Sequence, residues 1–146
     1  MLTDHELVEK LHWHYTAEEQ EPAMNEIVQR ESFDVKLLLQ PMGKMYWDNA
    51  ALVLSRMSHE RLSPVMDGLF EWIADMNWPG ADTVFELLDS LPAGDFIPSY
   101  EKAARHAILG KRPVWKNNLC LFLKSGKAKR EDFSDASLYD QLCDRV

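Results

Sequence analysis

The sequence is poor in the features that announce an activity. Two cysteines, Cys120 and Cys143, are too few for a disulfide framework, and Cys120 falls inside an apolar helical stripe. No apolar run approaches the ~18 residues of a membrane span. The opening Met1-Leu2-Thr3-Asp4-His5-Glu6 has neither the basic start nor the apolar core of a signal peptide, so the cytoplasm is the expected compartment. A Gly-x-Ser-x-Gly elbow, a phosphate loop and a dinucleotide fingerprint are all missing, which excludes the best-marked hydrolases and nucleotide binders. Serine and cysteine nucleophiles have no recognisable base partner. Strand-length alternation of apolar and polar residues is missing as well, which leaves helices.

What is present is an acidic body with one basic segment. The chain of 146 residues, enough for a single domain, carries a net charge of −8. Residues 1–100 hold six basic and eighteen acidic side chains, residues 101–130 nine basic and one acidic, and residues 131–146 one basic and five acidic. Acidic and basic partners would therefore meet different parts of the molecule.

Helix signals run the length of the chain. Thr3 with Glu6 and Thr16 with Glu19 fit the capping box, predicting helices over 4–14 and 17–30. Residues 33–40 form a short apolar run, either a helical turn or an extended piece, broken by Pro41 and Gly43. Asp48 is placed to cap a helix through Met57, and Ser63-Pro64 marks a kink or the start of a helix to Asp75. Further helices are expected over 79–91, 99–109 and 113–124, with Gly110 as a left-handed cap and Gly126 as the last helix end before a connector and a short helix over 134–143. Residues 1–40 thus read as a helical extension, 48–123 as a core of helix pairs and 127–146 as a connector with a short helix.

The helix starts near 48, 63, 79, 98 and 113 make each pair about 31–35 residues long, the size of a solenoid unit. The expected fold is all-α, built of antiparallel helix pairs, either a HEAT-like short α-solenoid or an irregular helical bundle. The sharpest local feature is Glu71-Trp72-Ile73-Ala74-Asp75-Met76-Asn77-Trp78-Pro79-Gly80-Ala81. Asp75 and Asn77 can accept from backbone N–H groups at a helix start, and Pro79 suits the first helical position. Trp72 and Trp78 flank the turn and are expected to clamp its helices, with Trp78 largely buried.

That segment carries a resemblance. Pro41 and Lys44 ahead of Trp47-Asp48, Leu54-Ser55-Arg56-Met57-Ser58, the stretch Leu69 to Ala81 with its Asp-Met-Asn-Trp-Pro centre, Leu87-Leu88 and Trp115 to Leu123 resemble the bacterial family of domain of unknown function 5071. The resemblance spans residues 41–123. It implies a HEAT-like pairing of helices and carries no activity or catalytic residue. Gly80 stands where a larger aliphatic residue is usual in that family, which allows a neighbouring helix to come close.

The chemical candidates are few. His12 and His14, two apart, would point about 200° from each other on a helix, whereas helical zinc pairs use i, i+4 spacing, so no metal site is expected. The acidic sets Glu18-Glu19-Glu21, Asp82 with Glu86, and Glu131-Asp132 fall on faces that periodicity makes solvated, not converging as acid–base catalysis requires. The basic segment around Trp115 and Phe122 has the composition of a nucleic-acid contact, yet the acidic body opposes phosphate and the macrodipole gives lysines at a helix end a local reason. Trp13 and Trp47, among polar neighbours, are the candidates for exposed anchors. The expected function is a non-enzymatic binding protein without cofactor or membrane contact. Its partner would be another protein, a basic one suiting its charge, with immunity-type neutralisation of a bacterial toxin as one form. Glu18, Glu19, Glu21 and Glu26 would then supply the attracting face. The alternative is an enzyme using Glu71 or Asp75, or a nucleic-acid binder using 111–130. Composition and spacing leave the oligomeric state open.

Overall fold

The computed structural model describes residues 1–125 and 127–143. Gly126, expected to end a helix, and residues 144–146 of the expected C-terminal segment lie outside them. Among the described residues no strand forms, and the fold is all-α. The helices are α1 (Asp4–Glu9), α2 (Ala17–Gln29), α3 (Trp47–Ser55), α4 (His59–Leu62), α5 (Met66–Trp72), α6 (Ala81–Asp89), α7 (Ala93–Leu109), α8 (Pro113–Leu123) and α9 (Ala136–Leu142).

Local chemistry explains most of the starts. Thr3 and Glu6 form the full reciprocal box at α1, and the Thr16 hydroxyl accepts from the Glu19 N–H at α2. Ser58 caps α4 and Asp135 caps α9 in the same way. Pro113 opens α8, where its missing N–H has no intrahelical role. Residues 33–40 resolve as a single 3-10 turn, Val35–Leu38, capped by Asp34.

Several boundaries differ from those the sequence predicts. The first helix stops at Glu9 instead of residue 14, because residues 10–15 turn on themselves with Tyr15 N–H donating to the His12 carbonyl. Asp48 lies inside the first turn of α3, which has no side-chain cap. Ser63-Pro64 is a kink: a 3-10 turn over Ser63–Val65 joins α4 to α5. The helix expected at 99 begins at Ala93, since Pro98 leaves unbonded only the carbonyl of exposed Gly94, near the helix start. Gly110 is not left-handed (φ −81°); the left-handed residue is Lys111 (φ 51°), after which the Arg112 N–H returns to the Ala107 carbonyl. Cys120 and Cys143 are bonded to each other and tie α9 to α8, a bridge the sequence reading did not foresee. A single bridge needs only that two packed helices bring two thiols together.

α1 packs on α2 and α2 on α3; α3 meets α6, α5 meets α6 and α7, and α7 carries both α8 and α9. The centre is an aromatic cluster of Phe70, Phe96, Tyr100 and Phe122, each fully buried, with ring centroids 5.2 Å apart for Phe96–Phe122 and 6.0 Å for Phe70–Phe96. Burial of each contributes roughly 1.5–3 kcal/mol, before any specific ring–ring term. Burial also pushes the Tyr100 hydroxyl well above its ordinary pKa, so it stays a donor, 2.6 Å from the Leu119 carbonyl.

Candidate functional site

The α1–α2 pair holds an open apolar groove. Leu2 precedes the Thr3 cap and Leu7 is the fourth helical residue, the positions of a hydrophobic staple. Both face a groove of about 490 Å³ that Met1, Pro22 and Ala23 also line, with Glu19 and Glu26 among its polar members. Arg30 closes one end. It donates to the Leu2 carbonyl (2.8 Å), to Asp4 (3.1 Å) and to Glu26 (3.0 Å). The Glu26 hydrogen bond, before all else, raises its pKa further and keeps it charged. The sequence carried one signal for the groove, the Leu2/Leu7 staple beside a capping box, and the reading passed over it.

The four glutamates of α2 divide between neighbours. Glu21 pairs with Arg56 at 2.8 Å and Glu26 with Arg30, so both are partly neutralised. Glu18 and Glu19 are exposed and make no ion pair among the described residues. The exposed acidic charge of this helix therefore concentrates at its start, with Glu19 on the groove itself. Trp13, in the connector from α1 to α2, is 51% exposed. In the same connector the His12 and His14 Nδ1 atoms face each other, contrary to the helical geometry expected, because the residues form a turn. No group of three or more metal-ligating side chains occurs among the described residues.

The elbow is built differently from the sequence picture. Trp72 is fully buried and its Nε1–H donates across the turn to the Pro79 carbonyl at 3.0 Å. Asp75 accepts from the Asn77 N–H at 2.8 Å, an Asx turn, while the Asn77 side chain is exposed. Pro79 is not the first helical residue: α6 starts at Ala81 behind Gly80, whose φ is +80°. A Cβ on Gly80 would lie 2.8 Å from the Trp47 carbonyl oxygen and 2.9 Å from Ala51 Cβ, so glycine is required on two counts. Trp78 is only half-buried, not enclosed, because it stands on edge against Trp47 at 5.8 Å at the rim of the fold. Trp47 is no exposed anchor either. Its ring also meets Trp72, and its Nε1–H donates to the Pro41 carbonyl at 2.7 Å.

Two buried polar side chains escaped the sequence reading. Asn118 Nδ2 donates to the Ile73 carbonyl at 2.8 Å, and its neighbour on α8, Trp115, donates to the Phe70 carbonyl at 3.1 Å. Together they satisfy carbonyls left open at the end of α5. Glu101 is 3% exposed and accepts from the Ser134 N–H and hydroxyl and from Arg105, fixing the approach to α9. Of the basic segment, Arg130 is paired with Asp140, and Trp115 and Phe122 lie in the core. No aromatic platform for bases remains among them.

No curated protein and no solved structure matches the chain. The family model described as domain of unknown function (DUF5071) matches residues 41–142. The match begins at the Pro41–Trp47 bond and takes in the elbow, the aromatic cluster and the bridged α8–α9 pair, leaving α1 and α2 outside. Covering well over half of the chain, it shows that the protein belongs to the DUF5071 family.

Proposed function

We propose that the chain is a non-enzymatic binding protein that receives a segment of another protein in the α1–α2 groove. The observation that carries this reading is the groove itself: about 490 Å³, apolar at Leu2, Leu7, Pro22 and Ala23, with the unpaired charges of Glu18 and Glu19 at the start of the same helix. Around the apolar floor, the edge holds Lys10 and Arg30 beside Glu19 and Glu26, and Arg30 answers Glu26. It is therefore the unpaired Glu18 and Glu19 at the helix start that suit an amphipathic segment bearing lysine or arginine. The floor supplies affinity and the charges speed encounter. The family core, HEAT-like in its pairing, would then be the rigid support. Immunity-type neutralisation of a basic toxin is the form of this function we favour, since a negatively charged partner can occupy a phosphate-binding cleft.

We place the protein in the cytoplasm, where the Cys120–Cys143 pair would be held reduced. Assays are accordingly run in both redox states. Asp75 is committed to its turn, which weighs against the enzymatic alternative.

The test uses the product of the adjacent gene as partner and measures association against ionic strength. Glu18→Lys with Glu19→Lys should slow association and flatten its salt dependence, and Leu2→Asp should speed dissociation. Glu21→Lys serves as the control on the Arg56 side, with a smaller effect. Equal effects at all positions, or none, would remove the groove from the mechanism. Turnover by the purified chain, abolished by Glu71→Gln with the fold preserved, would replace binding with catalysis.

A further inference from the structure

A second cavity opens beside the elbow, away from α1–α2. Its volume is about 350 Å³, and Gln40, Glu71, Trp78, His106, Arg112 and Trp115 line it. The fold draws these residues from the loop before Pro41, from α5, from the elbow and from the junction of α7 with α8. Nothing in their spacing along the chain announces the convergence.

Three observations mark it as a place for a ligand. The Gln40 Nε2 is buried and has no hydrogen-bond partner, a state that costs stability unless an acceptor arrives. The non-glycine residues with left-handed backbone are Gln40 (φ 43°) and Lys111 (φ 51°), one in the lining and one between the lining residues Gly110 and Arg112. Lys111 takes this conformation at the end of α7, so it is Gln40 whose backbone marks the lining, since such residues gather at binding sites. The Arg112 guanidinium lies over the Trp115 ring, 4.6 Å from its centroid, and makes no ion pair among the described residues. Trp115 is itself anchored to the Phe70 carbonyl, so the cation is held in place before any ligand comes.

The lining therefore offers an unanswered amide donor, a positioned guanidinium fork and the face of a half-buried indole. We propose that this cavity binds a small planar carboxylate, an aromatic or heteroaromatic acid. Its carboxylate would accept from Arg112 and, once the Gln40 side chain turns its enclosed amide outward, from Nε2, and its ring would lie against Trp78. The volume falls at the small end of ligand sites, about 300–1,000 Å³, which suits one ring. Glu71 in the same lining opposes any anion and a doubly charged one most, so a single carboxylate is what Arg112 can hold against it. This assignment is independent of the α1–α2 groove.

The test uses two probes with the same ring and opposite charge, benzoate and benzamidine, followed by NMR at the Trp78 indole N–H and the Gln40 side-chain amide. Benzoate should shift both signals saturably with a Kd of about 1 mM or tighter, and benzamidine should shift neither. Arg112 is exposed, so Arg112→Gln should keep the fold and weaken benzoate by about tenfold or more. Gln40→Met should weaken it independently. Inorganic phosphate bound as tightly as benzoate would reduce the site to a general anion contact and overturn the assignment. So would a preference for benzamidine, unchanged affinity in Arg112→Gln, or no shift with benzoate up to about 10 mM.

Discussion

The α1–α2 pair and the region from α3 to α9 share one apolar core, which Leu7, Val8, Met24 and Ile27 enter from the pair's side, yet their polar bonds lie in different places. Around α1 and α2 the bonds are at the surface. The Thr3–Glu6 box, the Arg30 fork on Asp4 and Glu26, and the Glu21–Arg56 pair are all at least partly hydrated. In the core the bonds are buried. Side chains from α7 and α8 reach carbonyls of α5 and α8 through Trp115, Asn118 and Tyr100, around four packed aromatic rings. Exposed ion pairs contribute little, with a median near 0–1 kcal/mol, while buried polar bonds are costly to leave half-made. The family boundary at residue 41 falls between these two regimes. The matched region can thus serve as a frame, and the pair outside the match carries the open groove.

The strongest way to break this contrast is to weaken the core. Phe122 touches Phe70, Phe96, Tyr100 and Phe85 through its ring and is fully buried. Phe122→Ala should cost about 3–5 kcal/mol in denaturant unfolding. A loss below about 1 kcal/mol would mean that the aromatic cluster is not what holds the frame.

Next in size is the bridge. Cys120 and Cys143 are 23 residues apart, and closing a loop of that length is worth about 3 kcal/mol in the chain-entropy picture. Cys143→Ser, or reduction of the parent, should lower stability by up to that amount. Amide exchange should rise first in α9, which is joined to the rest through α7 and α8. Equal melting with and without reductant would show that packing alone seats α9.

A smaller effect is expected at Arg30. Arg30→Ala removes the Leu2, Asp4 and Glu26 contacts and should loosen α1 while leaving global stability nearly unchanged. Exchange should rise over residues 4–9 and leave α5 and α8 unchanged. A global loss of protection would mean that the pair belongs to the cooperative core and that the contrast is false.

How much of this was legible follows from where each interaction lives. Local chemistry was readable: the Thr3 and Thr16 caps and the Asp75 turn each need only neighbouring residues. Boundaries failed where a local rule had a tolerated exception, as with Pro98 inside α7 and the left-handed turn at Lys111 instead of Gly110. Contacts across the fold were not legible. No pattern tells that Asn118 meets a carbonyl 45 residues away, that Gln40 and Arg112 border one cavity, or that Cys143 reaches Cys120. Trp47 and Trp13 show the limit well. Both had polar neighbours in sequence, and only the fold put one into a cluster and left the other exposed.

The smallest expected effect is a titration on the core's own surface. The Ser99 hydroxyl, and then the Lys102 ammonium 2.9 Å away, hold the Asp67 carboxyl below its ordinary range. The folded chain then binds this proton less readily than the unfolded chain. The stabilisation is present above the unfolded carboxylate value of about 3.9 and is lost as pH falls through the depressed folded value. Both side chains are half or more exposed, so solvent screens the pair, and its worth should be below about 1 kcal/mol. Asp67→Asn should accordingly leave stability at neutral pH almost unchanged. It should also flatten part of the acid limb of the stability curve. If the acid limb were unaltered, α5 and α7 would be joined by buried packing alone. Loss of several kcal/mol would mean instead that surface pairing supports the core as it does α1 and α2, and the two regions would no longer differ in kind.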